Sequence, residues 1–415
     1  MIRSMFSAIS GLRNHQTMMD VVGNNISNVN TTGFKSSTTV FQDVLSQVLR
    51  GGGAATTELG GTNPAQVGLG SRVAAITTNF GQGALQRTGR ATDLAVQGDG
   101  FFVVNQAGQE LYTRAGSFSV DALGRLVTQE GAFVMGWQGD ATGNVNTNGA
   151  IGQIQVPVGD LAAPNPTGQI DLGGNLPSNA AIGATIVNSV EIFDTQGSPI
   201  DIRFTFTKTA ADTWTLDSQY TLADGTTTGA AGTQSTIVFD ANGEIDTGAS
   251  TLNTLDTVPG TAGPIDVFLG NAGGANRLTQ YGELSTVAVL NQDGSAAGSL
   301  QSFTISQEGL VVGSYSNGRT RAIGQIALAS FANPEGLEKV GGSNYRSTMN
   351  SGLAQLGTAG AGGRGLMSSG TLEMSNVDLA QEFTNLIVAQ RGFQANSRVV
   401  TTSDELLQEV VNLKR

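Results

Sequence analysis

Both ends of the chain carry apolar residues at helical spacing. From Met1 to Asn30, Met5, Leu12, Met19 and Ile26 follow one another at intervals of seven, with Ile9, Val22 and Val29 beside that lane. At the far end Leu379, Leu386, Phe393, Val400 and Leu407 repeat the interval, flanked by Phe383, Ile387, Val399, Val410 and Val411. A sustained period of seven predicts helices that wind around partners rather than single amphipathic helices. The pattern predicts a helix over 372–413, about 60 Å long at 1.5 Å per residue. Every proline lies between positions 64 and 334, so neither end is kinked or broken by one.

The companion lane of the last helix is polar, with Gln390, Ser397 and Asp404 where a two-stranded seam would carry leucine. Such narrow stripes suit helices crowded among several neighbours, with one face wet. An ordinary two-helix bundle capping the molecule is the alternative. Helices of this composition are marginal alone in water. The ends are therefore expected to be disordered in a monomer and to fold on association.

Between the ends the pattern changes period. Residues 94–104 place a Gly-Asp-Gly turn between two apolar strands, and 111–128 read strand, Asp-Ala-Leu-Gly turn, strand. Ile200, Ile202, Phe204 and Phe206 alternate with polar residues, the mark of a half-buried strand. Val190 and Ile192 are its expected partners across the turn Asp194–Pro199. Polar, glycine-rich stretches at Gly51–Ala55, Gly60–Asn63, Asp140–Gly149, Asn271–Asn276 and Gly357–Gly365 mark seams.

The predicted fold class is mainly β with α-helical termini: nested β domains between N- and C-terminal helices that pair as a coiled coil. The expected division has four parts. A helical inner domain takes 1–30 plus 372–415, and 31–75 is an extended connecting segment. A β-rich middle domain takes 76–145 plus 286–365, and 146–285 is an inserted β-rich outer domain.

Composition narrows the function. The 58 glycines among 415 residues show no collagen period and fit many tight turns. A net charge of -12 speaks against nucleic acid or an anionic membrane as partner. No apolar run is long enough to span a bilayer. With no cysteine and one histidine, thiolate sites, disulfides and His-based zinc sites lack their parts.

Candidate chemistry is thin. Gly360–Gly365 formally matches G-x-G-x-x-G, but without a βαβ setting it reads as a linker. Asp93, Asp99, Asp121, Glu130 and Asp194 mostly sit in glycine-containing turns, where aspartate bonds its own backbone. His15 reads as solvated helix surface. Trp137, Trp214 and Tyr220 would suit a sugar platform, though two tryptophans are more often core. No catalytic residue, metal or cofactor is expected. Met1–Asn30 lacks the apolar core of a cleavable signal peptide.

Two stretches carry a resemblance. Asn24-Asn25-Ile26-Ser27-Asn28-Val29-Asn30-Thr31-Thr32-Gly33-Phe34-Lys35 resembles the signature shared by bacterial flagellar axial proteins, those of rod, hook and hook-associated type. Gln390-Arg391-Gly392-Phe393-Gln394-Ala395-Asn396-Ser397-Arg398-Val399-Val400 resembles their matching C-terminal motif. Tyr112–Thr128, Tyr315–Thr320 and Ala327–Gly336 resemble the β domain that rod and hook proteins share. A distal rod protein is expected to be shorter and to lack an insert like 146–285, which favours the hook type within this rod/hook family.

The resemblance implies assembly rather than a reaction. It implies a homopolymer, a flexible helical tube joining rod to filament, with the terminal helices inside and 146–285 outside. It implies extracellular residence in the flagellum, reached without a cleaved signal peptide. The implied partners are further copies, the hook cap, the distal rod protein, the hook–filament junction protein and the flagellar export apparatus. The alternatives are a distal-rod-like or hook-associated flagellar axial protein and, further off, a secreted β-rich adhesin.

Overall fold

Helix α1 covers Ile2–Ser27 and helix α2 covers Leu379–Asn412; among the described residues between them lie strands, turns and a short 3-10 turn at Pro334–Gly336. The architecture is thus mainly β with a helix at each end. In this computed structural model the described residues are 2–54, 60–140, 142–157, 159, 161–225, 227–246, 254–270 and 277–412. The seam expected at Asn271–Asn276 lies outside them. The chain forms two units: Met1–Pro157 with Phe303–Val312 and Ala322–Arg415, and Val158–Ser302 with Gly313–Arg321.

Helix α2 begins seven residues later than its apolar period suggests. Leu372 belongs instead to the strand Thr371–Glu373, which pairs with Leu85–Arg87. Asp378 then caps the helix, its Oδ1 accepting from the amides of Ala380 (2.9 Å) and Gln381 (3.2 Å). The helix of 34 residues is about 51 Å long at 1.5 Å per residue.

Residues 31–75 are expected to run as an extended connector; the described strands among them pair with one another and with the strand that follows. Ser37–Asp43 pairs antiparallel with Ser71–Thr78, and Ser46–Arg50 with Ala65–Gly68. The amides of Val44 and Leu69 carry the ladder across the junction. Helix α1 lies against these paired strands, with Asn14 Nδ2 donating to Ser71 Oγ at 2.8 Å.

The first unit's β core is built around Phe101–Gln106. That strand pairs with Gln109–Thr113, with 133–134 of the strand Phe133–Gln138, and with Leu328–Ser330. Leu94–Gln97 does not pair with Phe101–Gln106 across the Gly-Asp-Gly turn; it takes Leu366–Ser369 as its partner. The C-terminal return therefore pairs twice with the N-terminal half before α2 begins. Phe101, Tyr112, Trp137 and Tyr345 fill the core.

Where the returning chain arrives, charge is buried. Lys35 and Glu373 are both fully covered, with Nζ and Oε1 2.6 Å apart. Lys35 also donates to Gly81 O at 2.8 Å, and Glu373 Oε1 accepts from the Gly83 amide at 2.9 Å. Arg114 Nη1 stands 3.6 Å from the other Glu373 oxygen. Burial pulls the Lys35 ammonium below its ordinary range, opposed by the hydrogen bond and charge of Glu373.

The second unit packs two sheets face to face. One is antiparallel, Thr185–Phe193, Pro199–Ala210 and Thr213–Thr221, with Ser235–Val238 beyond. Val190 faces Ile202 and Ile192 faces Ile200, the pairing that the alternation predicts. The other sheet sets Gln169–Pro177 parallel to Ile265–Phe268 and to Leu278–Tyr281. Ile170, Leu172, Phe204, Phe206, Trp214 and Leu216 meet in one core between them.

One turn recurs in both units. At Asp121, Asp140, Asp194 and Asp240 the carboxylate accepts from the amides two and four residues on. The glycine three residues on, at 124, 143, 197 or 243, has φ between 77° and 90°. A β-carbon is strained there, so the spacing of aspartate and glycine belongs to the turn itself.

Two outcomes test this account of the fold. Glu373→Gln should lower the free energy of unfolding by about 3–5 kcal/mol, because it strands buried cations without their anion. Urea titration reads this, and a loss below about 1 kcal/mol would place the pair with ordinary surface bridges. The carboxyl of Asp240 is held below its ordinary range mainly by the Glu244 amide. Its stabilising effect is present above the unfolded value of about 3.9 and is lost as pH falls through the lower folded value. Asp240→Asn should therefore flatten the decline of the urea midpoint in acid; an unchanged slope would contradict this.

Candidate assembly interface

Helices α1 and α2 run antiparallel along each other. Asn25 Nδ2 donates to Glu382 Oε1 at 3.0 Å near one end of the pair. Farther along, a β-carbon on Gly392 would run into the His15 ring, and one on Gly11 would meet the Asn396 amide at 2.8 Å. The backbones approach closely because these positions carry no side chain.

The residues that α2 turns inward are small or polar. Ala389 is 0% exposed and Ser403 6%, and with Glu382 and Asn396 they form a lane spaced by seven. This is not the predicted apolar lane. Leu386, Val400 and Leu407 sit half-buried on its flank, while Leu379, Phe383 and Phe393 are exposed, Phe383 by 51%. On α1, Met5, Leu12, Met19 and Ile26 are all half-buried, and Val22 and Ala8 are the covered apolar positions. The physical reason is size: glycine, alanine and serine allow the close approach, and the large apolar groups are left at the margin and outside.

His15 is part of this seam rather than solvated surface. Its ring packs over Gly392 and edge-on to Phe41, centroids 6.3 Å apart. Ile387, Val388, Val399, Leu406 and Val411 add to the outward apolar face of α2. Along the paired strands after α1, Leu45, Val48 and Leu49 are likewise exposed, Leu45 by 74%.

The N-terminal motif serves a local fold. Asn25 is buried; its Nδ2 also donates to Ser37 O, and its Oδ1 accepts from the Ser37 amide. Asn28 Nδ2 donates to Asn24 O, and Asn28 Oδ1 accepts from Thr31 Oγ1. Gly33 has φ 67° and packs on the backbone of Arg114 and Ala115, where a β-carbon has no room. Lys339 Nζ stands 5.1 Å from the Phe34 ring centroid and donates to Lys35 O. Asn24, Asn28, Thr32 and Phe34 border a cleft of about 370 Å³, and Asn30 is exposed.

The C-terminal motif is mostly presented to solvent. Gln390, Arg391, Gln394 and Ala395 are exposed, and Arg391 Nη1 donates to Gln394 Oε1 at 3.2 Å. Glu373 and Arg114 had no signal in the sequence pattern, because a distant ion pair has no period. Lys35 closes the N-terminal motif, but its burial is not legible there.

The other candidates resolve into structure. Trp137 is 5% exposed and donates to Gly149 O at 2.9 Å, and Trp214 is 0% exposed, so neither offers a sugar platform. Gly360–Gly365 is a closed loop rather than a linker: its ends bond each other, and the Gly365 amide donates to Asp99 O at 2.6 Å. Among the described residues no group of His, Cys, Asp or Glu is placed to hold a metal ion. No described helix is long and apolar enough to cross a membrane.

Comparison with known proteins agrees along the whole chain. Family models match in four places: flagella basal body rod protein at 5–35, flagellar hook protein FlgE/F/G D1 domain at 95–171, flagellar basal body protein FlaE D2 domain at 166–295, and flagellar basal body rod FlgEFG protein C-terminal at 368–413. The chain is 40% identical over 447 residues to the flagellar hook protein FlgE of Borreliella burgdorferi, covering 100% of both chains. It is 36% identical to the Escherichia coli K12 protein of that name, over 98% of this chain and 99% of the other. It is 34% identical to the basal-body rod protein FlgG of Bacillus subtilis, with 100% of each covered, so the expectation that a rod protein is shorter and lacks the insert does not hold for this relative. In fold it resembles the crystal structure of Helicobacter pylori flagellar hook protein FlgE2, with a TM-score of 0.54 at 16% identity, covering 70% of this chain and 100% of that one. The chain belongs to the flagellar hook protein family, the structural proteins of the bacterial flagellar hook.

Proposed function

We propose that the chain polymerises through its terminal helices into a flexible helical tube that links rod to filament and transmits torque. The observation that carries this reading is the apolar surface left bare on the helical pair and the paired strands after α1. Leu379, Phe383, Ile387 and Phe393 lie outside a seam that is already closed by small residues. Each such side chain is worth about 1.5–3 kcal/mol when fully buried. Ordering a long helix offsets much of that gain, so the helices become stable when several neighbours cover them together. Contacts that do not close a ring give open-ended growth.

On this reading Met5, Leu12, Met19, Ile26, Leu379, Phe383, Leu386, Phe393, Val400 and Leu407 are the subunit-contact positions. Gln390, Arg391 and Gln394 add a polar surface beside them, with the small Ala395 among them. The terminal segments, 1–30 with 372–415, form the inner shell through their helices; 31–75 connects it to the middle domain of 76–145 with 286–365; 146–285 is the outer shell. The partners are further copies of the chain, the hook cap, the distal rod protein, the hook–filament junction protein and the export apparatus. The role is mechanical and non-enzymatic.

Deleting the last 40 residues should leave a folded β-rich monomer that forms no tubes under electron microscopy. Tubes from that fragment would refute the reading. Removing 146–285 should leave tubes that assemble but bend abnormally; unchanged curvature would remove the outer block from the bending mechanism.

A further inference from the structure

Arg114 is buried with most of its donors unmet. It is 2% exposed, and its nearest anion is the Glu373 oxygen 3.6 Å away, on a carboxylate already held by Lys35. Its Nε and Nη1 donate to no acceptor among the described residues. A guanidinium carries five N–H donors, and removing it from water is costly unless they are satisfied. With Lys35 and Arg114 facing one carboxylate of Glu373, the buried cluster carries one surplus positive charge.

Arg114 lines a cavity of about 420 Å³ whose wall includes the Phe80, Phe101 and Phe331 side chains and the backbone of Gly362 and Gly363. Its guanidinium carbon is 5.2 Å from the Phe101 ring centroid. Gly362 and Gly363 sit at φ 60° and 78° in the loop whose spacing imitates a nucleotide fingerprint. A β-carbon on Gly363 would meet nothing within 4 Å, so that side of the loop is open. Arg364 is turned away into bonds with Thr358 O and Gln355 O, which leaves Arg114 as the cation of the cavity. Asp99, exposed on the rim, contributes the opposing charge.

We propose that this cavity binds a carboxylate borne on an apolar, ring-sized group. Arg114 takes the carboxylate oxygens in its planar fork, the phenylalanine rings hold the apolar body, and the glycine loop gives entry. The one guanidinium, the aromatic wall and the negative charge of Asp99 on the rim select a monoanion of this kind over a phosphate. The same chemistry is available from a free organic acid or from an acidic side chain of a second copy flanked by apolar residues. The site itself does not depend on the assembly reading.

Benzoate is the probe and benzamide its neutral counterpart, titrated calorimetrically into the full-length monomeric chain. Wild type should bind benzoate saturably and benzamide not at all. Arg114→Gln should weaken benzoate at least about tenfold, as loss of a charge-assisted fork requires. Asp99→Asn changes an exposed side chain and should tighten benzoate about threefold, the size of one partly exposed like-charge repulsion. Failure of both wild type and Asp99→Asn to bind, or equal binding of benzamide, overturns the proposal even if Arg114→Gln does not fold. Assembled tubes separate the sources. Tubes that exclude benzoate, and whose growth benzoate slows, identify a neighbouring copy as the occupant. Tubes that bind it as the monomer does identify a free organic acid.

Discussion

The rest of the structure depends on the arrival of Glu373 between Lys35 and Arg114. Lys35 lies 338 residues earlier in the chain, immediately after the turn that ends the N-terminal motif. Its ammonium is out of water and has one carboxylate to meet it. That carboxylate is in place only when Thr371–Glu373 pairs with Leu85–Arg87, and when Gly33 donates its amide to Glu373 O at 2.7 Å. One buried charge thus requires the two ends of a long chain to meet in a single register. Such a cluster adds specificity more than net stability, since an apolar replacement of matching shape does as well energetically.

From this tie the helical pair follows. The end of α1 and the start of α2 are fixed within a few residues of it, and Asn25 meets Glu382 at that edge. Further on, Gly11 and Gly392 allow the backbones to approach, so the pair closes on small and polar groups. A seam of this kind consumes little apolar surface. The large side chains of α2 remain outside, and a protein whose work is to bind copies of itself has its adhesive surface ready where the pair is most exposed.

Legibility in the sequence divided along physical lines. Period and turn chemistry act over a few residues and were readable: both terminal helices, the alternating strand Pro199–Ala210 with its partner across the Asp194 turn, and the self-bonded aspartates. Long-range choices were not. The sevenfold lane of leucine and phenylalanine marks a face of α2, but which face meets α1 was decided by glycine and alanine, whose contribution is absence of bulk. Residues 31–75 read as extended, yet the pairing of Ser37–Asp43 depends on a partner strand, Ser71–Thr78, tens of residues away. His15 looked solvated because its packing partner, Gly392, offers no side chain to a pattern search. Arg114 belonged to an unremarkable strand end, and its burial is a property of the fold alone.

The central claim is that the outer apolar face of the terminal helices is covered by neighbouring copies. Hydrogen–deuterium exchange, compared between the monomer and the assembled protein, tests it most directly. The account predicts that residues 379–412 and 2–27 exchange quickly in the monomer and become strongly protected on assembly, while the core strands of 199–221 change little. Equal protection of both helices in monomer and polymer would contradict it.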